Sequence, residues 1–279
     1  MGDSDLDAER AAAALMWWTA AGVGFTVGET PVDRFAAPAT EPDPPRSAAP
    51  PSDQVARPAP ARVAQAQPLL SGAPALGAAI EVAEAARDLP SLRAALENFD
   101  GCALKKTATQ LVFSDGAPGS RVMFVGEGPG GDEDRIGRPF VGRAGQLLDR
   151  MLKAIGLDRT AVYIANVVPW RPPGNRTPTP EETQACLPFI KRQIALAAPD
   201  ILVCLGAHSA QTLIGVKSIT RARGSWTRYE IRDGRTIPAI AMFHPAYLLR
   251  TPSQKRAAWA DMRALAEALA QFPRPEGKG

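Results

Sequence analysis

Four short apolar runs rich in β-branched residues mark the C-terminal two-thirds of the chain. They cover residues 122–125, 162–168, 201–205 and 237–243. Each run is continuous rather than alternating, which is typical of a strand buried on both faces. The pattern therefore predicts four strands of a parallel sheet.

Stretches with helical periodicity separate these runs. Residues 179–182 read Thr-Pro-Glu-Glu, a capping box with proline at the first helical position, and this predicts a helix over 180–196. We predict further helices over 75–88, 90–98 and 252–271, and one after Gly206. An apolar stripe predicts another helix; its members are Ala144, Leu147, Leu148, Met151, Leu152 and Ile155. Alternating strands and helices indicate an α/β fold, a three-layer α/β/α sandwich around a central four-stranded parallel sheet.

The first seventy residues differ in composition. Residues 11–27 are mostly apolar, but acidic residues precede them where a signal peptide would carry positive charge, and they fall short of the roughly 20 residues of a membrane span. Residues 31–70 contain ten prolines. We expect an apolar helical segment over 1–30, an extended linker over 31–70, and a folded domain over 75–273, with no membrane partner.

Charge is unevenly distributed along the chain. Residues 1–88 hold 6 basic and 12 acidic side chains, a net −6, whereas residues 89–279 hold 26 and 17, a net +9. The basic part suits a polyanionic partner, although a solvated basic surface is an equal alternative. Three cysteines without paired spacing argue against a disulfide framework and favour a reducing, cytoplasmic location.

Polar loops follow the first, second and fourth predicted strands. They cover residues 126–142, 166–176 and 244–250. Because parallel strands end at the same sheet edge, we expect these loops to meet in one site. The glycines of the first loop formally match a dinucleotide fingerprint. However, Pro129 and three carboxylates at 132–134 would oppose a pyrophosphate, so a nucleotide-binding oxidoreductase is a weak alternative.

Residues from about 98 to 270 resemble the uracil-DNA glycosylase superfamily, most closely its type-4 bacterial and archaeal branch. The matching stretches are GEGPGGDEDRIGRPFVGRAGQLLD (126–149), NVVPWRPPGNRTPTPEE (166–182), LGAHSAQTLIG (205–215) and FHPAYLLR (243–250). The resemblance implies an enzyme that flips uracil out of single- or double-stranded DNA and hydrolyses its N-glycosidic bond, leaving an abasic site. We expect a monomer. The alternative is a module of low or no activity that binds uracil-containing or abasic DNA.

Three residues match the superfamily's base-recognition positions. The resemblance implies that Phe140 stacks on the flipped uracil and that Asn166 reads its O4 and N3–H edge. It implies that His244 donates to O2 as negative charge develops there. The chemistry agrees, because an amide offers both a donor and an acceptor, and a fixed donor stabilises a leaving anion. The other histidine, His208, is expected to be structural.

The remaining site positions are less sharply defined. Glu127 and Glu133 both match acidic positions, and either carboxylate could orient water or support the sugar cation. We rank Glu127 first, and Glu133 could instead hold its loop through backbone N–H groups. Gly126, Gly128 and Asn175 match further substrate-binding positions, although type-4 members usually carry Ala at the place of Gly128.

The resemblance also implies a DNA-binding rim. Basic side chains would contact phosphates, and an apolar loop would enter the duplex. The basic residues are Arg171, Arg176, Arg250 and Lys255, and the apolar loop is Tyr247, Leu248 and Leu249.

The chain departs from the type-4 pattern at the cluster cysteines. Type-4 members resemble one another in four cysteines that bind a 4Fe-4S cluster. Cys102 and Cys186 match the second and fourth, but Phe99 and Trp170 stand at the first and third. A cluster requires four ligands, so we predict that this chain carries no cofactor and no metal.

Overall fold

The structure is a computed structural model that describes residues 73–271; the predictions for residues 1–30 and 31–70 lie outside the described residues. A six-stranded sheet forms its centre, in the order β1-β3-β2-β4-β6-β5. The strands are β1 Asp115–Gly116, β2 Val122–Gly126, β3 Val162–Asn166, β4 Ile201–Leu205, β5 Trp226–Glu230 and β6 Thr236–Met242.

The four predicted strands form the parallel core of this sheet. β2 pairs with β3 and β4, and β4 pairs with β6, all in parallel. The predicted parallel core is therefore confirmed, but the sheet has six strands rather than four. β1 and β5 extend its two edges as antiparallel strands. The sequence did not reveal them because β1 has two residues and β5 is exposed except at Tyr229, so neither forms an apolar run.

Nine α-helices connect and cover the strands in the described part of the chain. They are α1 Ala73–Ala85, α2 Leu89–Asn98, α3 Gly131–Ile136, α4 Arg143–Ala154, α5 Pro180–Ala197, α6 Ala207–Ile214, α7 Ile219–Ala222, α8 Pro245–Arg250 and α9 Lys255–Gln271. None of the helices between residues 73 and 271 has the length and hydropathy needed to cross a membrane.

Alternate strand residues face two separate hydrophobic layers. Met123 and Val125 of β2 pack in the layer that contains α1, α2, α5 and α6. Val122 and Phe124 of the same strand pack in the layer that contains α4 and α9. Both faces of the central strands are therefore covered by helices, which confirms the three-layer α/β/α arrangement.

The capping box predicted before α5 is present. The hydroxyl of Thr179 accepts a hydrogen bond from the Glu182 amide at 3.2 Å, and the Glu182 carboxylate accepts one from the Thr179 amide at 2.8 Å. These bonds fix the helix start and thereby the preceding loop, which borders the candidate site. The short helices α3, α7 and α8, of four to six residues, were not predicted.

Candidate active site

A cavity of about 650 Å³ opens at the carboxyl ends of β2, β3 and β6. This is the sheet edge at which the polar loops were expected to meet. Predicted site residues line it: Glu127, Gly128, Glu133, Phe140, Asn166, Asn175, Arg176, His244, Tyr247 and Arg250. The predicted residues that do not line it are Gly126, Arg171, Leu248, Leu249 and Lys255. Gly126 nevertheless adjoins the lining residues Asn166 and Phe140.

Asn166 and Phe140 converge on Gly126. β2 and β3 pair Gly126 with Asn166, so the two strands end side by side. A Cβ atom on Gly126 would lie 2.5 Å from Asn166 Oδ1 and 2.6 Å from Phe140 Cζ. Any larger residue would displace both side chains, so the close approach explains this glycine.

Asn166 carries an unpaired buried acceptor. The residue is 5% exposed, and within residues 73–271 its Oδ1 is the single buried side-chain polar atom that lacks a hydrogen-bond partner. Such atoms are rare because leaving one unpaired costs about 1–3 kcal/mol. Because this acceptor lies beside an open cavity, it is available to an N–H group of a ligand.

Phe140 lies between Asn166 and His244 in an unusual backbone conformation. Its φ is 55°, in the left-handed region that residues with a Cβ rarely adopt. The ring is 5% exposed and stacks on the His244 imidazole, with centroids 5.4 Å apart and planes 28° apart. The two rings therefore form one wall of the cavity.

His244 is neutral, with its proton on Nε2. Its Nδ1 accepts a hydrogen bond from the Ala246 amide at 3.1 Å, as the N-cap of α8. An accepting Nδ1 leaves the proton of a neutral imidazole on Nε2. Burial, aided by the positive charge of Arg250, lowers the pKa of His244 to about 4. Near neutral pH this side chain therefore presents one N–H donor.

The two glutamates have different surroundings. The Glu133 carboxylate accepts hydrogen bonds from the backbone N–H groups of Gly130, Val141 and Gly142 at 3.1, 2.9 and 2.8 Å. Glu127 is half-buried at the cavity, and no other side chain described between residues 73 and 271 hydrogen-bonds to its carboxylate. Glu133 thus holds a loop, while Glu127 is the carboxylate available to a ligand or to water.

Two of the predicted phosphate-binding arginines are engaged with protein groups. Arg171 Nε donates to Asn175 Oδ1 at 2.8 Å. Arg176 donates to both carboxylate oxygens of Glu182, at 2.8 and 2.6 Å, and this pairing lowers the pKa of Glu182. Arg250 and Lys255 are exposed.

The predicted apolar wedge is only partly in position to enter DNA. Tyr247 and Leu249 are half-buried, but Leu248 is 1% exposed and packs with Leu147 and Phe243. The assignment of residues 247–249 to a DNA-inserting loop stays a prediction, but in this structure Leu248 anchors α8 to the core while its two neighbours are half-buried. The reason is helical geometry, since three consecutive residues of a helix cannot share one face.

Sequence reasoning missed two charged residues behind the cavity. Arg159, in the turn before β3, donates to the carbonyl oxygens of Pro139 and Phe140 and to the carboxylate of Asp115. No local motif marks either residue, because their partners lie 10 to 44 positions away.

The cluster positions hold two thiols and two aromatic rings. Cys186 Sγ lies 3.7 Å from Cys102 Sγ, and both cysteines are buried with Phe99 and Trp170 in one hydrophobic layer. The described residues contain no group of three or more His, Cys, Asp or Glu side chains arranged to hold a metal. Two thiols and apolar rings do not fit a 4Fe-4S cluster, which requires four ligands.

Comparisons with known proteins identify relatives of this domain. The family model described as the uracil DNA glycosylase superfamily matches residues 113–263. A type-4 uracil-DNA glycosylase of Thermotoga maritima is 47% identical over 156 residues, which are 55% of this chain and 79% of that protein. One of Archaeoglobus fulgidus is 42% identical over 171 residues, which are 60% of this chain and 85% of that protein. A type-5 uracil-DNA glycosylase of Pyrobaculum aerophilum is 30% identical over 146 residues, 46% of this chain and 62% of that protein.

Proposed function

The chain belongs to the uracil-DNA glycosylase superfamily, and we propose that it excises uracil from DNA by hydrolysing the N-glycosidic bond, leaving an abasic site. The observation that carries this proposal is the unpaired Oδ1 of Asn166, which lies beside the stacked rings of Phe140 and His244. One acceptor, one aromatic surface and one N–H donor therefore border the same cavity.

Uracil complements this set of groups. Once the nucleotide is flipped out of the stack, its N3–H can donate to Asn166 Oδ1, and the Asn166 amide N–H can donate to O4. Phe140 supplies the surface on which the base stacks. Cytosine has no N3–H at neutral pH and carries an amino group in place of O4, so it offers a donor where Asn166 also presents a donor. The site thereby discriminates between the two bases.

The chemical step uses the fixed donor of His244. As the bond between C1′ and N1 breaks, its electron pair moves to the base, and the Nε2–H of His244 donates to the O2 of the departing anion. The sugar develops positive charge, which the Glu127 carboxylate stabilises while it orients a water molecule. The water oxygen bonds to C1′ and passes one proton to the Glu127 carboxylate, from which it reaches the uracil anion through solvent, so that the products are an abasic site and neutral uracil. Glu133 acts through the loop that it holds.

A labelled oligonucleotide with one uracil tests the proposal. Alkaline treatment cleaves the strand only where a base has been removed, so cleavage at the uracil position reports excision. The matched control carries thymine at that position. Single- and double-stranded substrates should both be tried. Binding of the uracil oligonucleotide without excision would instead favour the non-catalytic alternative.

We also propose that the protein carries no iron–sulfur cluster. Cys102 and Cys186 supply two of four ligands, while Phe99 and Trp170 occupy the same buried layer as apolar rings. Iron analysis and visible absorbance after anaerobic purification test this. About four irons per chain would contradict the proposal. The double variant Phe99→Cys, Trp170→Cys serves as the control that restores the four-cysteine set.

Three further expectations complete the proposal. Deleting residues 1–70 should leave excision intact, because the site residues all lie beyond them; a folded but inactive truncated protein would contradict this. The protein should be a monomer, which light scattering measures. Its expected cytoplasmic location remains a prediction that cell fractionation tests.

A further inference from the structure

We propose that Arg159 is a positioning residue for excision, acting by fixing the backbone of Phe140; this inference rests on the proposed function. Arg159 lies in the short turn Arg159–Ala161 before β3 and is not among the residues that line the cavity. Its effect on a bound base must therefore pass through another residue, and its contacts identify Phe140.

The loop that carries Phe140, residues 139–142, is held from two sides by opposite charges. The Glu133 carboxylate accepts hydrogen bonds from the N–H groups of Val141 and Gly142. Arg159 donates to the carbonyl oxygens of Pro139, at 3.2 Å, and Phe140. Glu133 thus pairs with N–H donors of this loop, and Arg159 pairs with carbonyl acceptors of the same loop. Hydrogen bonds to charged groups are the stronger class of hydrogen bond.

Phe140 needs such restraint because its conformation is unfavourable. In a residue with a Cβ, a positive φ brings the Cβ too close to the neighbouring carbonyl oxygen and is less stable than extended or right-handed backbone. The Phe140 carbonyl also approaches the first turn of α4 so closely that a Cβ on Gly145 would lie 1.6 Å from its oxygen. Without Arg159 this carbonyl would lose its charged donor, and the loop would be free to relax away from φ 55°.

Arg159 is itself fixed by two carboxylates. Its Nε donates to Asp149 of α4 at 2.7 Å, and its Nη1 donates to Asp115 of β1 at 2.5 Å. The Arg159 and Asp115 side chains are 24% and 15% exposed, so solvent screening of this pair is limited. The two-residue edge strand β1 therefore has a role, which is to place Asp115 against Arg159.

Lysine cannot reproduce this arrangement. Four acceptors surround the Arg159 group, and a planar guanidinium with five N–H donors can reach all of them at once. An ammonium group has three donors around one nitrogen, so at least one acceptor would be lost. Arg159→Lys should therefore restore part of what an uncharged residue removes.

The consequence for catalysis follows from the stacking of Phe140 on His244. A shift of the Phe140 backbone moves the ring on which the base stacks. Because the same ring packs against the His244 imidazole, the shift also disturbs the group that donates a hydrogen bond to the base. Misplacement of a reacting group by about 1 Å can reduce a rate about 10²-fold. Single-turnover excision by Arg159→Met should accordingly be about 10- to 100-fold slower.

Arg192 provides a matched control. Like Arg159 it is a half-buried arginine that donates to a main-chain carbonyl, that of Ala86, at 3.0 and 2.7 Å. It lies on α5 and is not among the cavity-lining residues. Arg192→Met should keep the parental rate, even if it lowers the melting temperature as much as Arg159→Met does.

Two readouts separate positioning from simple destabilisation. In a Phe140→Ala background, Arg159→Met should cause little further loss of rate, because the ring whose position Arg159 fixes through the main chain is already absent. In the parental chain, Arg159→Met should also shift the NMR signals of the His244 ring protons, which the Phe140 ring current affects, whereas Arg192→Met should leave them unchanged. If the two rate losses multiply, or if the His244 signals stay in place, the proposal is overturned.

Failure of the proposed function gives a different result. If the parental protein does not excise uracil, the NMR comparison still decides whether Arg159 holds Phe140. If the parental protein excises uracil and Arg159→Met does so equally fast, the function stands and the positioning role is rejected. Should Arg159→Met fail to fold, Arg159→Lys and Asp149→Asn provide milder changes to the same contacts.

Discussion

Two buried regions of this domain differ in whether their polar groups have partners within the protein. The cavity contains the unpaired Oδ1 of Asn166 and the left-handed backbone of Phe140. The region around Cys102, Cys186 and Trp170, which we call the cysteine region, has its two thiols in contact and its rings packed in the core. Within residues 73–271, the buried polar atom without a hydrogen-bond partner therefore lies at the cavity and not in the cysteine region.

This contrast separates two kinds of residue. A group without a partner in the free protein contributes to binding or chemistry when a ligand supplies that partner. A group that is already packed contributes to the free energy of unfolding. Substitutions in the cavity should thus reduce excision more than stability, and substitutions in the cysteine region should do the reverse.

Trp170→Ala should have the largest effect on stability. Truncating a fully buried aromatic side chain costs about 3–5 kcal/mol, and Trp170 is 2% exposed. Chemical denaturation measures the loss, while the excision rate per folded molecule should change far less. Trp259→Ala is the control, since this tryptophan is 44% exposed and should tolerate truncation. Equal destabilisation by both variants would contradict the contrast.

His244→Ala should have the largest effect on excision. Removing one fixed donor to developing charge reduces a rate about 10²–10³-fold. The variant should remain folded, because α8 retains Pro245 at its first position and the buried Leu248. Single-turnover kinetics measure the loss. An unchanged rate in His244→Ala would remove this residue from the mechanism.

Asn166→Asp should mainly affect base selectivity. An ionised carboxylate accepts hydrogen bonds but cannot donate to O4, and it can accept from the amino group of cytosine. Loss of a hydrogen bond to a buried group should slow uracil excision by about 10- to 100-fold. Comparing uracil and cytosine oligonucleotides measures the shift in preference. A ratio equal to the parental one would show that Asn166 does not read the base.

The pH dependence should be the smallest effect. The pKa of His244 is lowered to about 4 from its usual 6.5, so its N–H donor persists as pH falls through 6.5. The rate should therefore show no inflection from His244 between about pH 6 and 8. Because the folded state resists protonating this imidazole, stability should decline as pH falls from 6.5 towards 4. NMR titration of His244 measures the pKa directly, and a value near 6.5 would contradict the proposed neutral donor.

The sequence predicted elements that have a strong local signal. Continuous apolar runs marked the four parallel strands, and the capping box marked the start of α5. β5 was missed because its polar, exposed residues resemble a loop, and α8 was missed because six residues cannot show helical periodicity. Each missed element takes its structure from tertiary contacts that no local window contains.

The candidate site likewise contains residues that a local sequence motif marks and residues that no motif marks. Phe140, Asn166 and His244 were predicted as site residues because each matches a position of the superfamily's motifs, and these motifs follow parallel strands, which bring the loops together. Arg159 and Asp115 lie outside any motif, and their contacts join segments distant in sequence. The difference between Glu127 and Glu133 was likewise invisible, because the hydrogen-bond partners of a carboxylate depend on the folded loop.

The N-cap position of His244 restricts which residues position 244 can accept. An acceptor for the Ala246 amide stabilises the start of α8, and Asp, Asn, Ser and Thr can also supply one. Excision also requires that the same side chain present an N–H donor to the cavity. Of Asp, Asn, Ser and Thr, only Asn has a side-chain N–H. A saturation library at position 244 should therefore contain many folded variants but very few active ones. Its pattern of tolerated residues would differ between a screen for solubility and a screen for repair.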